Sequence, residues 1–181
     1  MTTYCDYCKS HPEDSFNTIY HDTQYGFPLD DDNLLYERLI LEINQAGLSW
    51  ITILKKADNF RAAYGRFDID TIASYGEMER TRLLNDAGII RNRLKVNAAI
   101  ENARHIQILR GEYGSFKGWL DGHHPLTLEN WVKLFKSNFI FTGGEIVNEF
   151  LMSTGYLSGA HTPDCPIYNI VISKRPAWNM K

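Results

Sequence analysis

Apolar residues recur along most of this chain at intervals of three and four, the spacing of amphipathic helices rather than strands. Asp30, Asp31 and Asp32 offer N-caps for a segment whose Leu34, Leu35, Leu39 and Ile40 share one face, with Gly47 as its stop. Ser49 then caps a helix through Ile51, Leu54, Phe60 and Tyr64 to Gly65, and the short connection makes the two helices neighbours. A short helix follows Asp68 or Asp70. Glu77 to Asn85 reads as helical, and Arg91 to Leu109 as a long helix ended by Gly111; Asp86-Ala87-Gly88-Ile89-Ile90 links them as a tight helix-hairpin-helix. Residues 114–126 are predicted to be a loop with at most one turn around Phe116 and Trp119. Thr127 caps a helix through Trp131, Val132 and Phe135, and a last one runs from Glu145 to Gly155. Beyond Gly155 no helix is predicted, and Ile170-Val171-Ile172 reads as a short extended piece.

The length of 181 residues suits one domain, long enough to bury roughly 70% of its unfolded surface without disulfides. A 44% hydrophobic and 23% charged composition excludes disordered, collagen-like and low-complexity classes. No apolar run approaches the ~20 residues of a membrane span, and the start lacks a charged-then-apolar signal pattern. A cytoplasmic protein with no membrane partner is expected. Its three cysteines, Cys5, Cys8 and Cys165, fit a reducing compartment and raise metal ligation as a question.

Net charge is −3, which alone argues against nucleic acid. The distribution changes that picture, because residues 80–110 hold seven basic and two acidic side chains, leaving −8 for the remainder. Either this stretch is a solvated helix face or it meets phosphates.

Thiol and imidazole groups gather at the two ends: Cys5, Cys8, His11 and His21, then His161 and Cys165. Such groups suit soft or borderline metals, and four protein ligands would make a zinc structural, since a catalytic zinc keeps a position open. The residues alone leave the ligand set open, with unligated side chains as the alternative. In the hairpin, backbone N–H groups with Arg91 and Arg93 can meet a phosphate, or the unit can be simple packing. Glu42 interrupts the apolar run Leu39-Ile40-Leu41-Glu42-Ile43. It is either a surface acid or, with Trp50, Tyr20 and Tyr7, part of a cavity for a flat, cationic ring. No phosphate-binding glycine loop and no nucleophile elbow is present. Cys8 beside His11 reads as a structural thiol rather than a nucleophile.

The run Leu41-Glu42-Ile43-Asn44-Gln45-Ala46-Gly47-Leu48-Ser49-Trp50, the preceding Tyr20-His21-Asp22 with Gly26 and Pro28, and Ala87 to Arg93 with Lys95 strongly resemble the DNA-3-methyladenine glycosylase I family, over roughly Cys5 to Cys165. The resemblance implies an all-α fold: a single helix-hairpin-helix glycosylase domain over 1–181 that acts on double-stranded DNA containing alkylated purines and frees 3-methyladenine. It implies one structural Zn2+ held by Cys5, His21, His161 and Cys165, which clips segments 1–28 and 156–181, with Cys8 and His11 as bystanders. It assigns the base pocket to Glu42, Tyr20 and Trp50, with Tyr7 where the family often carries Trp. Leu48 becomes the wedge that enters the DNA stack, and Gly88, Ile89, Arg91 and Arg93 the backbone contacts. A monomer is expected.

Asn17 stands where the family commonly has an aromatic, with Phe16 beside it; Gly143-Gly144-Glu145 replaces Gly-x-Thr, and Asn148 a later tyrosine. These departures bear on the choice between alkylated bases. A ring methylated at N3 is already a cationic leaving group, so little acid catalysis is needed, and water attacks the anomeric carbon. A Schiff-base lyase using Lys55, Lys56 or Lys95 is not expected. The competing readings are a non-catalytic, zinc-clipped helical DNA-binding module, a glycosylase of altered alkylpurine specificity, and, less consistent with four filled ligand positions, a zinc hydrolase.

Overall fold

A computed structural model describes residues 3–180. Its helices are α1 (Tyr4–Ser10), α2 (Ser15–Thr23), α3 (Asp32–Gln45), α4 (Trp50–Ala63), α5 (Ile69–Ala73), α6 (Glu77–Asn85), α7 (Arg93–Tyr113), α8 (Phe116–His123), α9 (Leu128–Asn138), α10 (Gly144–Ser153) and α11 (Tyr168–Ser173). Short 3₁₀ turns cover Gly65–Phe67 and Ala177–Asn179, and no strand occurs among the described residues. No helix is long and apolar enough to cross a membrane.

The centre of the fold is α3, in which every residue from Leu35 to Asn44 is buried. It packs on α4, α7, α8 and α10. A helix enclosed on all sides cannot leave its polar groups to water, so each needs a partner or a purpose. Glu37 pairs with Arg61 of α4 at 2.7 Å. Arg38 donates to the Tyr20 hydroxyl at 3.0 Å and to the Ser153 carbonyl at 3.3 Å. Past its C-terminus, Gly47 takes φ +80°, a conformation glycine adopts without strain, and the chain reverses into α4. Lys95, buried at the start of α7, donates to the carbonyls of Asn44 and Ala46 at 2.8 and 2.7 Å. One ammonium thereby satisfies carbonyls at the end of α3 and fixes α7 to the turn before Leu48.

Much of the early acidity serves helix N-termini. Asp14, Asp31 and Asp68 cap α2, α3 and α5. The Asp32 carboxylate accepts from the backbone N–H groups of Phe116 and Lys117, both at 2.9 Å, and from Arg110. Together with the local cap of Ser115, whose hydroxyl accepts from the Gly118 N–H at 2.7 Å, this contact is why residues 114–126 are not a loop: α8 starts there, and Phe116, Trp119 and Leu120 bury one face against an aromatic cluster with Phe135, Phe139 and Phe150. Gly111 does not end α7, which continues to Tyr113 and stops at Gly114 with φ +81°. A mid-helix glycine costs only ~1 kcal/mol, less than the packing of so long a helix supplies. Ile170-Val171-Ile172 lies in α11 rather than in an extended piece, with Val171 buried. Tertiary contact overrides the weak β preference of those residues. The first two helices have no counterpart in the hydrophobic periodicity; α1 begins with a capping box between Thr3 and Asp6.

Lys95→Met should keep the side-chain length while stranding two carbonyls. We expect a loss of about 2–4 kcal/mol of unfolding free energy in urea titration; a loss under about 1 kcal/mol would show the ammonium to be dispensable to the fold.

Candidate active site and metal centre

The turn after α1 and the residues around α2 bring the N-terminal segment against α3, α4 and α10. Between them lies a cavity of about 230 Å³ lined by Tyr4, Tyr20, Tyr25, Glu42, Trp50 and Glu149. This is below the ~300–1,000 Å³ of sites for drug-sized ligands and suits a single bicyclic ring. A larger depression of about 570 Å³ opens beside the Cys/His cluster, but its walls contain no Phe, Tyr or Trp. The smaller cavity is therefore the candidate for a flat ligand.

Its walls are rigid for identifiable reasons. Tyr20 and Trp50 have centroids 5.1 Å apart, and Tyr25 meets Tyr4 edge-on at 5.3 Å. Arg38 lies 5.0 Å from the Tyr20 ring centre as well as holding its hydroxyl. Glu42, 4% exposed, faces the cavity from the last turn of α3. Among the described residues, no side chain or backbone N–H hydrogen-bonds its carboxyl. Burial raises its pKa most, Arg38 opposes this, and Glu149 adds to it, leaving the group pushed up to about 8. The indole Nε1 of Trp50 is likewise buried without a partner. The Trp131 Nε1 is buried and unpaired in the core in the same way, so an unpaired indole N–H does not by itself mark a ligand; the Glu42 carboxyl, facing an aromatic cavity without a hydrogen bond, can accept one from a ligand.

Tyr7 does not line this cavity. Its hydroxyl donates to Asp14 at 2.9 Å and its ring stacks on His11 at 4.4 Å. Tyr4 supplies the wall instead, and Asn17, where an aromatic is expected, holds it: Asn17 Oδ1 accepts from the Tyr4 hydroxyl at 2.8 Å while its Nδ2 donates to Asp14. Phe16 is exposed. Tyr4, Tyr25 and Glu149 were not apparent from sequence, although Tyr25 sits beside the motif glycine Gly26.

Cys5, His21, His161 and Cys165 converge, with all four ligand atoms within 4.8 Å of one another. Cys5 Sγ lies 3.3 Å from His21 Nε2 and 3.7 Å from His161 Nδ1; Cys165 Sγ lies 3.8 and 3.6 Å from the same two nitrogens. A tetrahedral ion with ordinary metal–sulfur and metal–nitrogen lengths requires about 3.6 Å along such an edge. The remaining nitrogens fix the tautomers. His161 Nε2 donates to the Tyr25 carbonyl at 2.7 Å and His21 Nδ1 to Asp22 at 2.6 Å, so both inward nitrogens present lone pairs. Gly26 permits the approach, since a Cβ there would come 2.8 Å from Ala160 Cβ and 3.3 Å from His161. The cluster can hold a metal ion.

Leu48 is 39% exposed on the turn between α3 and α4, not buried in it. Arg91 and Arg93 are exposed, but the wider basic stretch is mostly engaged within the fold. Arg80 pairs with Glu77 and Glu101, Arg104 with Glu101, and Arg110 with Asp32. In the hairpin, Ile89 is buried and the Gly88 N–H already donates to Asp86 at 2.7 Å. The expectation that the backbone from Gly88 onward is free for a phosphate therefore narrows to the residues after Ile89. Lys56 donates to the carbonyls of Ala87 and Gly88, tying the hairpin to α4. With Lys95 clamped between carbonyls, neither amine is free as a nucleophile.

A family model described as methyladenine glycosylase matches residues 9–168. The chain belongs to the methyladenine glycosylase family. DNA-3-methyladenine glycosylase of Haemophilus influenzae is 32% identical over 187 aligned positions, covering 92% of this chain and 98% of that protein. DNA-3-methyladenine glycosylase 1 of Escherichia coli K12 is 48% identical over 92 residues, 51% of this chain, and that match spans about half of the relative, 49%. The solved structure of 3-methyladenine DNA glycosylase I from Staphylococcus aureus, which concerns recognition of 3-methyladenine, aligns with TM-score 0.82 at 28% identity, over 91% of this chain and 97% of that one. The all-helical architecture of this methyladenine glycosylase family member is thus shared along nearly its whole length.

The raised Glu42 pKa has a consequence for stability. In the unfolded chain this carboxyl titrates near its ordinary value of 4.5, so its burial favours the protonated form of the fold. That contribution is complete below about 4.5 and is lost as pH rises towards 8. Glu42→Gln cannot lose it. The variant should melt increasingly above the wild type between pH 5 and 8.5, by the equivalent of a few kcal/mol; a pH-independent offset between the two would refute a protonated Glu42.

Proposed function

We propose that this chain, acting as one domain over residues 1–181 and as a monomer, removes 3-methyladenine from alkylated double-stranded DNA. The observation that carries the reading is the aromatic cavity faced by the buried Glu42 carboxyl, which no group among the described residues hydrogen-bonds. A ring made cationic by methylation gains charge–quadrupole attraction from Tyr20 and Trp50 that a neutral purine lacks; its charge also favours the ionised form of Glu42, which burial otherwise keeps protonated at neutral pH, and the resulting carboxylate adds to the attraction in a dry site.

The damaged nucleotide is flipped out of the stack into the cavity, and the exposed Leu48 occupies the gap. Arg91 and Arg93 neutralise phosphates on the flank without reading sequence. Water adds to the anomeric carbon as the glycosidic bond breaks; the bonding pair returns to the ring, which leaves neutral, and the water proton passes to solvent. The residues bind and orient the base rather than protonate it. Zinc at Cys5, His21, His161 and Cys165 fits the mixed thiolate and imidazole donors and supplies a crosslink between segments 1–28 and 156–181. Joining residues 156 apart corresponds to ~4 kcal/mol of loop-closure entropy.

Incubation with methylated DNA and chromatography of the released base tests the activity. Wild type should free 3-methyladenine; Glu42→Gln should stay folded, bind the free base less well and excise it at least about ten-fold more slowly. Leu48→Ala should melt within a few degrees of wild type while losing excision, because the truncated side chain is exposed. Retention of DNA with no free base would identify a binding module instead. For the metal, we expect one zinc per chain by elemental analysis, with Cys165→Ala losing most of it and melting on the order of 10 °C lower; unchanged melting would remove the structural role.

A further inference from the structure

Glu42 is not the only acid in the cavity. Glu149 on α10 lines it too, and among the cavity walls, four aromatic and two acidic residues, there is no Lys or Arg. Glu149 is held there by Tyr25, whose hydroxyl donates to its Oε2 at 3.2 Å, and the Tyr25 backbone is fixed by the His161 hydrogen bond to its carbonyl. Two carboxyls in so small a space repel each other and lose hydration, an arrangement that a neutral ligand does not offset. Burial raises the pKa of Glu149 as well as that of Glu42. Glu37 at the α3–α4 contact has an arginine against it; Glu149 has only a tyrosine hydroxyl.

We propose that Glu149 is a second specificity-determining carboxylate of the base cavity, selecting rings that carry a formal positive charge over neutral purines of the same shape. The inference rests on the base-pocket reading above. Glu42 acts from α3 and Glu149 from α10, so a cationic ring is attracted from two separate elements, while Tyr20 and Trp50 set the plane. A neutral ring gains hydrogen bonds at most from either acid.

The test compares two probes on the full chain at pH 8 by calorimetry: 3,9-dimethyladeninium, a permanent cation that stands for the base with a methyl in place of the sugar, and uncharged 3-methyladenine. Glu149→Gln preserves an oxygen acceptor for the Tyr25 hydroxyl and the volume of the side chain, so the wall should hold; melting temperature monitors this. We expect the variant to bind the cation about ten-fold or more weakly and the neutral base within about two-fold of wild type. Equal weakening of both probes, or of neither, overturns the assignment and leaves Glu149 as a prop for Tyr25. Tyr25→Phe separates these further, since it removes the hydrogen bond but not the charge and should leave the cation-to-neutral preference intact; if it abolishes that preference, the effect is one of positioning and the assignment falls. Failure of the wild type to bind either probe would instead sink the base-pocket reading, and this inference with it, whereas normal binding by wild type with an unaltered preference in Glu149→Gln sinks only this inference.

Discussion

Burying α3 on every side is the constraint that organises this protein. A helix with Glu37, Arg38, Glu42 and Asn44 inside the core is stable only if the surrounding elements satisfy those groups. Three of them are met by the fold, through Arg61, through Tyr20 and the Ser153 carbonyl, and through the Ile40 carbonyl. Glu42 is left facing the cavity. Its isolation is legible only against the care taken with its neighbours, and it marks where stability yields to binding.

The cavity walls impose a second requirement. Tyr4, Tyr20 and Tyr25 come from short N-terminal helices and the turn after them. Helices of 7 and 9 residues are not stable by themselves in water. They are held by caps, by the contact of α2 with α4, and by the convergence of Cys5 and His21 with His161 and Cys165 from the far end of the chain. The Tyr25 carbonyl, which accepts from His161, makes the connection direct: the residue that orients this imidazole of the cluster also carries a ring and a hydroxyl into the cavity. The cavity and the Cys/His cluster thus share Tyr25. On the other side, Lys95 and Lys56 tie the hairpin to the turn bearing Leu48 and to α4, so the exposed leucine, the exposed arginines and the cavity keep fixed relative positions.

How much of this was legible in the sequence depended on how local its cause was. Helices α3 and α9 follow from periodicity plus a cap, since Asp31 and Thr127 act within a few residues; α4 starts after Ser49 as expected, but the Ser49 hydroxyl meets Thr52 Oγ1 rather than capping a backbone N–H. α8 did not: its local cap, Ser115, sits among Gly114, Gly118 and Gly122, and the second group on its N-terminus, Asp32, lies 84 residues away from Phe116. The metal cluster could be suspected from residue types at the two ends, but only the family resemblance chose among six candidates. Glu42, Tyr20 and Trp50 line the cavity where that resemblance put them; Tyr7 does not, since Asp14 holds its hydroxyl and His11 its ring, and Tyr4, bonded to Asn17, supplies a wall. Glu149 gave no signal, being one more acid on an amphipathic helix. The basic stretch looked more available than it is, since charge counts do not reveal that Arg80, Arg104 and Arg110 already have partners.

Charge in the cavity and rate at the sugar are separate matters under the proposed chemistry. While the bond is intact, the positive charge resides on the ring and every carboxylate near it favours the bound ground state. As the bond breaks, that charge moves from the ring towards the anomeric carbon, so attraction confined to the ring diminishes along the reaction coordinate. A pocket of acids and aromatics is therefore better suited to choosing the damaged base than to accelerating its departure. This division is tolerable because methylation has already made the ring a good leaving group, and it explains why a cavity with no strong acid, no nucleophile and no positively charged side chain on its walls is sufficient. Under that chemistry, discrimination against the large excess of neutral purines is the harder task, and an unpaired carboxyl in the last turn of α3, facing the cavity, suits it.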